Sequence, residues 1–263
     1  MEKLHIVKIG GNIIDDPSSL ESFLKTFSAI HGYKILVHGG GKLATDLALT
    51  LGIPQTLVDG RRITDAETLK VAVMVYAGLV NKNIVATLQA YSCNAFGFCG
   101  ADGNLLTATK REHAQVDYGW VGDIIPDHVN TKMLNHLLNA DMVPVIAPIT
   151  HDGKGHLLNT NADTMTSAIA SAMALHYTVR LTYCFEKNGV LRDVDHEDSI
   201  IPVLKKEEYL KLKNEGIISK GMIPKLDNAF NALDAGIEKV NICHAKNLQV
   251  NGSNGIGTYL INS

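Results

Sequence analysis

The sequence predicts an α/β fold in which a mostly parallel sheet is covered by helices on both faces. Three observations carry this. Short apolar, β-branched runs alternate with helical patterns along the chain, the order expected when crossover helices join parallel strands. The first two runs each end in glycines, Gly10-Gly11 and Gly39-Gly40-Gly41, and sheets of this kind bind ligands beyond the carboxyl ends of their strands. The chain has 263 residues, 46% of them hydrophobic, enough for one sizeable core.

The elements follow in order. Residues 4–9 read as a buried strand. Asp16 is placed to cap a helix with Pro17 in its first turn, and Leu20, Phe23, Leu24 and Phe27 follow at helical spacing. Residues 33–37 form a second buried strand, and a helix spans roughly 42–51. Thr64-Asp65-Ala66-Glu67 reads as a capping box opening a long helix to about Tyr91. Residues 93–98 are strand-like, and 102–128 read as short hairpins. A helix near 130–140 leads to a strand over 143–147. Residues 161–175 are helical, with Met165, Ile169, Ala172 and Leu175 on one face. Helices over 205–214 and 222–236 and strands over 239–243 and 256–261 complete the chain. A joint between two lobes, about 1–175 and 176–263 within a single domain, falls after the 161–175 helix.

Lys and Arg number 24 against 27 Asp and Glu, and no basic run exceeds Lys205-Lys206, so neither a nucleic-acid surface nor an anionic membrane surface is expected. The four cysteines, Cys93, Cys99, Cys184 and Cys243, form no C-x-x-C pair and read as buried thiols, not as a zinc or redox motif. The chain begins directly on a strand, with no signal-peptide pattern and no expected membrane span. These features point to a cytoplasmic protein.

Several segments carry chemistry. Lys8 precedes Gly10-Gly11 at a strand exit, where glycines let backbone N–H groups approach an anion; a snorkelling lysine beside an ordinary turn is the bland reading. His38-Gly39-Gly40-Gly41-Lys42 enters a helix and can cradle an anion. It also satisfies the dinucleotide pattern through Gly39, Gly41, Ala44 and Asp59, which keeps an NAD(P)-dependent oxidoreductase open. Arg62, with Arg61, precedes the capped helix and could hold a carboxylate bidentately, or could be plain surface charge. Asn159 and Asp163 flank a helix start, where Asn161 or Thr160 can cap and a carboxylate suits the dipole. Lys225 sits in a helix's first turn, where a cation is disfavoured, and such an exception invites a functional reason. His151-Asp152-Gly153-Lys154-Gly155-His156 reads as a hairpin tip and not as a metal site.

Taken in order, these segments resemble the amino acid kinase family. The matching stretches are Lys8-Ile9-Gly10-Gly11, His38-Gly39-Gly40-Gly41, Gly60-Arg61-Arg62-Ile63-Thr64 and Gly100-Ala101-Asp102-Gly103. They continue with 117–123, Asn159-Thr160-Asn161-Ala162-Asp163, Gly221-Met222-Ile223-Pro224-Lys225 and Gly257-Thr258-Tyr259-Leu260. The resemblance covers nearly the whole chain. It implies a three-layer αβα sandwich with a mainly parallel central sheet. It implies transfer of the ATP γ-phosphoryl to the side-chain carboxylate of N-acetyl-L-glutamate in arginine biosynthesis, or of another N-acyl-glutamate such as N-succinyl-L-glutamate. By motif position, Lys8 and Lys225 would stabilise the transition state and Asp163 would orient them. Gly40, Gly41, Arg62 and Asn159 would contact the acceptor, and Gly10 and Gly11 would face phosphate. Mg²⁺ would travel with the nucleotide and need no motif of its own.

The chain departs from the family pattern where Tyr183 replaces an Asp after the strand near 179–182, in a slightly longer loop over 183–188. In the family that region lies near the nucleotide base, so Tyr183 is expected among the cofactor contacts. The direct start on a strand implies a homodimer without arginine feedback. A non-catalytic amino-acid sensor is the alternative from another class.

Overall fold

The computed structural model describes residues 1–58, 61–193, 195–218, 221–250 and 255–262. Asp59, Gly60 and Lys220 lie outside the described residues. The main sheet has eight strands, numbered here in chain order: β1 Lys3–Ile9, β2 Tyr33–His38, β3 Ala95–Phe98, β4 Val143–Ile146, β5 Thr178–Phe185, β6 Val203–Lys205, β7 Lys239–His244 and β8 Thr258–Ile261. Their spatial order is β6-β8-β7-β5-β1-β2-β4-β3. Every neighbouring pair is parallel except β7 with β8. The fold is an αβα sandwich on a mostly parallel sheet.

The burial pattern explains why these runs became strands. β1 is buried on both faces: Leu4 and Ile6 enter one apolar cluster, Val7 and Ile9 the other. Helices Ala162–Met173 and Ile223–Asp234 fill the first cluster. Helix Pro17–Ser28 and the long helical segment from Ala66 to Ala90 fill the second. Phe23 and Phe27 stack in that second cluster at 6.1 Å, and truncating either to Ala would cost about 3–5 kcal/mol. Asp16 caps its helix, accepting from the Ser18 N–H at 3.3 Å.

Three local expectations shift. The long helix is capped by Asp65, which accepts from the Thr68 N–H at 2.7 Å, so its cap lies one residue after Thr64. Leu175 is 78% exposed, because helix Ala162–Met173 has already ended, while Met165, Ile169 and Ala172 are buried. The Ala66–Ala90 segment is long and apolar enough by length and composition to span a membrane, at mean hydropathy 1.5. Here Val71, Val75, Tyr76, Val80, Ile84 and Leu88 are buried against the protein interior, as in a core helix.

The same segment is not α-helical throughout. Met74–Val80 winds as a π-helix. A smaller four-stranded sheet, containing Val121–Asp123, Ile149–His151 and Leu157–Thr160, rises beside the main sheet. Its Ile149–His151 and Leu157–Thr160 strands are antiparallel, so residues 151–156 do form a hairpin tip.

Candidate active site

Lys8 is the penultimate residue of the central strand, and its side chain points to the face of helix Ala162–Met173. There Lys8 Nζ lies 2.7 Å from Asp163 Oδ1. From the other side Lys225 Nζ donates to Asp163 Oδ2 at 2.9 Å. Lys8 and Asp163 are 7% and 8% exposed. The Lys8 contact is charge pairing rather than an aligned hydrogen bond, since no donor is aligned on Oδ1. Burial alone would raise the Asp163 pKa, but Lys8 and Lys225 outweigh it and hold the carboxyl well below the usual range.

The local folding rules explain the arrangement. Asn161 caps helix Ala162–Met173, its side chain accepting from the Thr164 N–H at 2.9 Å. That places Asp163 in the first turn, where the helix dipole favours a carboxylate. Lys225 occupies the first turn of helix Ile223–Asp234, which has no capping side chain and no acidic residue there. Asp163 supplies the missing anion from the neighbouring helix. The two helices are pinned where Ser167 Oγ donates to the Asn228 carbonyl at 2.9 Å.

Beside this triad opens a cleft of about 370 Å³. Gly40, Gly41, Arg62 and Asn159, the residues expected to contact an acceptor, all line it. Gly40 has φ +144°, and a Cβ there would sit 3.2 Å from Tyr76 Cδ1, so the position demands glycine. It precedes helix Gly41–Thr50, whose first amides have no intrahelical partner. Arg62 Nη2 donates to the Gly41 carbonyl at 2.8 Å and to Thr45 Oγ1 at 2.7 Å, and Nη1 donates to Gln55. Asn159 Nδ2 donates to Thr64 Oγ1 at 3.0 Å.

The Gly10-Gly11 turn abuts the glycine loop: a Cβ at Gly39 would lie 3.8 Å from the Gly11 nitrogen. Only part of this turn is open to an anion. The Gly10 N–H is taken by the Cys184 carbonyl at 3.1 Å. Gly11 begins the short helix Gly11–Ile14, so its N–H is the turn's available donor.

Tyr183 is not where a nucleotide base could reach it. It is 2% exposed, and its hydroxyl donates to the Asp163 carbonyl oxygen at 3.3 Å. β5 is buried on both faces from Leu181 onward, and Tyr183 falls with Leu181 and Phe185 in the first apolar cluster while Cys184 faces the second. Tyr183 therefore supports Asp163 from below.

Residues with no assigned role in the sequence reading also belong to the site. Tyr76 packs over Gly40, and Thr45 and Gln55 anchor Arg62. Asp15 lies beside Gly11 with both carboxylate oxygens buried and without a donor. Burial raises its pKa, with Lys42 opposing and Asp46 reinforcing. Asp15 follows the glycine turn by four residues, but a single acidic residue there has no distinguishing pattern.

A second cleft, about 290 Å³, opens at the opposite ends of the strands around Lys3, His5, Arg180 and Lys239. None of the expected site residues reaches it.

Comparison with known proteins bears on the family and the fold. A model described as the amino acid kinase family matches residues 3–244. A protein of Phocaeicola vulgatus named acetylglutamate kinase is 56% identical over 92% of this chain and 93% of its own. One of the same name from Cytophaga hutchinsonii is 53% identical over 99% of both. In fold, the chain matches carbamate kinase from Giardia lamblia with a TM-score of 0.73 at 15% identity, over 100% of this chain and 99% of that one.

Proposed function

Because the chain belongs to the amino acid kinase family and is a kinase, we propose that it transfers the γ-phosphoryl of ATP to the side-chain carboxylate of N-acetyl-L-glutamate, as the names of its relatives imply. The observation that carries this reading is the Lys8–Asp163–Lys225 array beside a glycine-lined cleft.

The chemistry needs few groups. A glutamate side chain has a pKa of about 4.3 and is already a carboxylate at pH 7, so no general base is required. What is required is in-line positioning and stabilisation of charge on the moving phosphoryl. Lys8 and Lys225 supply positive charge from the central strand and from a helix start. Asp163 keeps both ammonium groups at hydrogen-bonding separation from one point and makes them a preorganised unit. Arg62 fixes the Gly41 carbonyl and hence the helix start that the acceptor meets, and Asn159 adds a polar contact from the opposite wall.

The half of the sheet from residue 178 onward, with the Gly10-Gly11 turn, would take ATP, and the half before it would take the acceptor. Among the described residues no three His, Cys, Asp or Glu gather as a metal site. Mg²⁺ would be held chiefly by the nucleotide phosphates and water, as is usual for this ion, with Asp15 and its donorless carboxylate the oxygen group beside the glycine turn. Bound Mg²⁺ would neutralise phosphate charge.

Phe96 on edge strand β3 and Met74 and Leu79 on the neighbouring helical segment are exposed. This supports a homodimer. A cytoplasmic location is part of the same proposal and fits a kinase that draws on ATP and a small-molecule acceptor.

The test is an ADP-release assay with Mg-ATP. N-acetyl-L-glutamate should trigger release, and hydroxylamine should trap the acyl phosphate as a hydroxamate. Absence of both would end this reading, and a parallel assay on N-succinyl-L-glutamate fixes the acyl group.

A further inference from the structure

The buried residues behind the glycine loop form a polar chain that the phosphoryl-transfer scheme does not use. His38 ends β2 and is 0% exposed. Its Nδ1 lies 2.8 Å from the Gly39 carbonyl oxygen, and its Nε2 lies 3.1 Å from Asn81 Nδ2. Asn81, also 0% exposed, donates from the same nitrogen to the Val145 carbonyl at 3.0 Å. Its Oδ1 accepts from Lys82 Nζ at 3.1 Å. These partners leave one consistent proton arrangement. The Asn81 nitrogen can only donate, so Nε2 accepts and the imidazole proton sits on Nδ1, directed at the Gly39 oxygen.

The π-helix explains how Asn81 arrives there. The Asn81 N–H bonds the Tyr76 carbonyl, five residues back, which is the π-type closure. At ~100° per residue, positions five apart on an α-helix would point about 140° away from each other. In the wider π-turn they lie roughly one above the other. Tyr76 thus packs on Gly40 while Asn81 reaches His38, both from one side of one segment. β3 is shaped to admit this: a Cβ at Gly97 would fall 1.9 Å from Asn81 Oδ1.

We propose that His38 and Asn81 are positioning residues for the acceptor. By holding the Gly39 carbonyl they set the plane of the Gly39–Gly40 peptide. In a trans peptide the N–H points opposite the C=O, so the Gly40 N–H is turned away from His38. Among the described residues that N–H has no partner within the chain. It is the donor this device presents to a carboxylate or carbonyl oxygen in the cleft. The inference rests on the acceptor occupying the glycine cleft, as proposed above.

Two measurements test it. In ¹⁵N-labelled full-length protein, His38 should show the Nδ1–H tautomer. Its ring signals should move on addition of N-acetyl-L-glutamate alone and stay still with a non-hydrolysable Mg-ATP analogue alone. In steady-state kinetics, Asn81→Ala should raise the acceptor KM about tenfold, with kcat and the ATP KM within about threefold. His38→Gln, whose amide can both donate and accept, should stay near wild type, whereas His38→Leu should match Asn81→Ala. An Nε2–H tautomer, or an unchanged acceptor KM in folded Asn81→Ala, overturns the proposal. If Asn81→Ala does not fold, the wild-type ring signals decide alone. A wild type that releases no ADP with N-acetyl-L-glutamate fails the acceptor reading instead, and the tautomer still reports on the His38–Asn81 pair.

Discussion

Lys225 donates to Asp163 across 2.9 Å although 62 residues separate them in sequence. The contact joins the first turns of two helices, and each turn alone has a different electrostatic character. The Asp163 turn is stabilised by its own dipole, and the Lys225 turn is not. The pair therefore places at the site a cation that its own helix disfavours.

Removal of either lysine should reach the chemical step. Lys8→Ala and Lys225→Ala are each expected to lower kcat by about 100-fold or more, the scale for loss of a preorganised charge partner. The acceptor KM should change little. Steady-state kinetics with both substrates varied checks this, and normal kcat in Lys8→Ala would refute its role.

Arg62 behaves differently because its guanidinium engages three acceptors at once, on Gly41, Thr45 and Gln55. Lysine cannot reproduce that fork. Arg62→Lys should therefore raise the acceptor KM about tenfold, ~1.4 kcal/mol of binding, with a smaller effect on kcat. Titration calorimetry with the acceptor gives the same comparison without turnover.

At Gly40 a side chain is opposed twice, by φ +144° and by Tyr76 at 3.2 Å. Gly40→Ala should cost about 1–3 kcal/mol of stability, read as a lower urea midpoint at unchanged m-value. Gly153→Ala, at φ +72° with open space around it, is the control for backbone strain without crowding.

Acid should expose His38. Burial pushes its pKa down to about 4, against a weaker upward pull from the Gly39 carbonyl and a downward push from Lys82. A folded pKa below the unfolded value of about 6.5 gives stability that is complete above pH 6.5 and lost as pH falls toward 4. The loss is about 3 kcal/mol for one such group. His38→Gln should flatten the decline of unfolding free energy between pH 6.5 and 4, leaving the part due to His5, whose pKa burial, Arg180 and Lys34 also lower to about 4.

The sheet was legible because β1, β2 and β5 are buried on both faces and so read as short runs dominated by apolar, largely β-branched residues. Lys225 was legible because a cation in a helix's first turn needs a reason; Lys8, Arg62, Asn159 and Asp163 each had an ordinary local reading and stood out only through the ordered set of segments. The π-winding of Met74–Val80 was not, since one widened turn hardly disturbs an apolar period of 3.6 over 25 residues. Without that turn, Tyr76 and Asn81 belong to unrelated faces. Tyr183 was misplaced because a substitution in a known motif says that a contact changed, and only burial says which way the new side chain turned.

β1 is hydrogen-bonded along its length to β2 on one side and β5 on the other. Amide hydrogens from Leu4 to Ile9 consequently have no edge from which to exchange. They should exchange only when the whole molecule opens, so the backbone beneath Lys8 is a clock for global unfolding. The Lys225 helix, entered without a side-chain cap, can open locally at its start. One lysine of the site is thus tied to the most protected backbone in the protein and the other to a terminus that can fray, and their exchange rates should differ by the free energy that separates those two events.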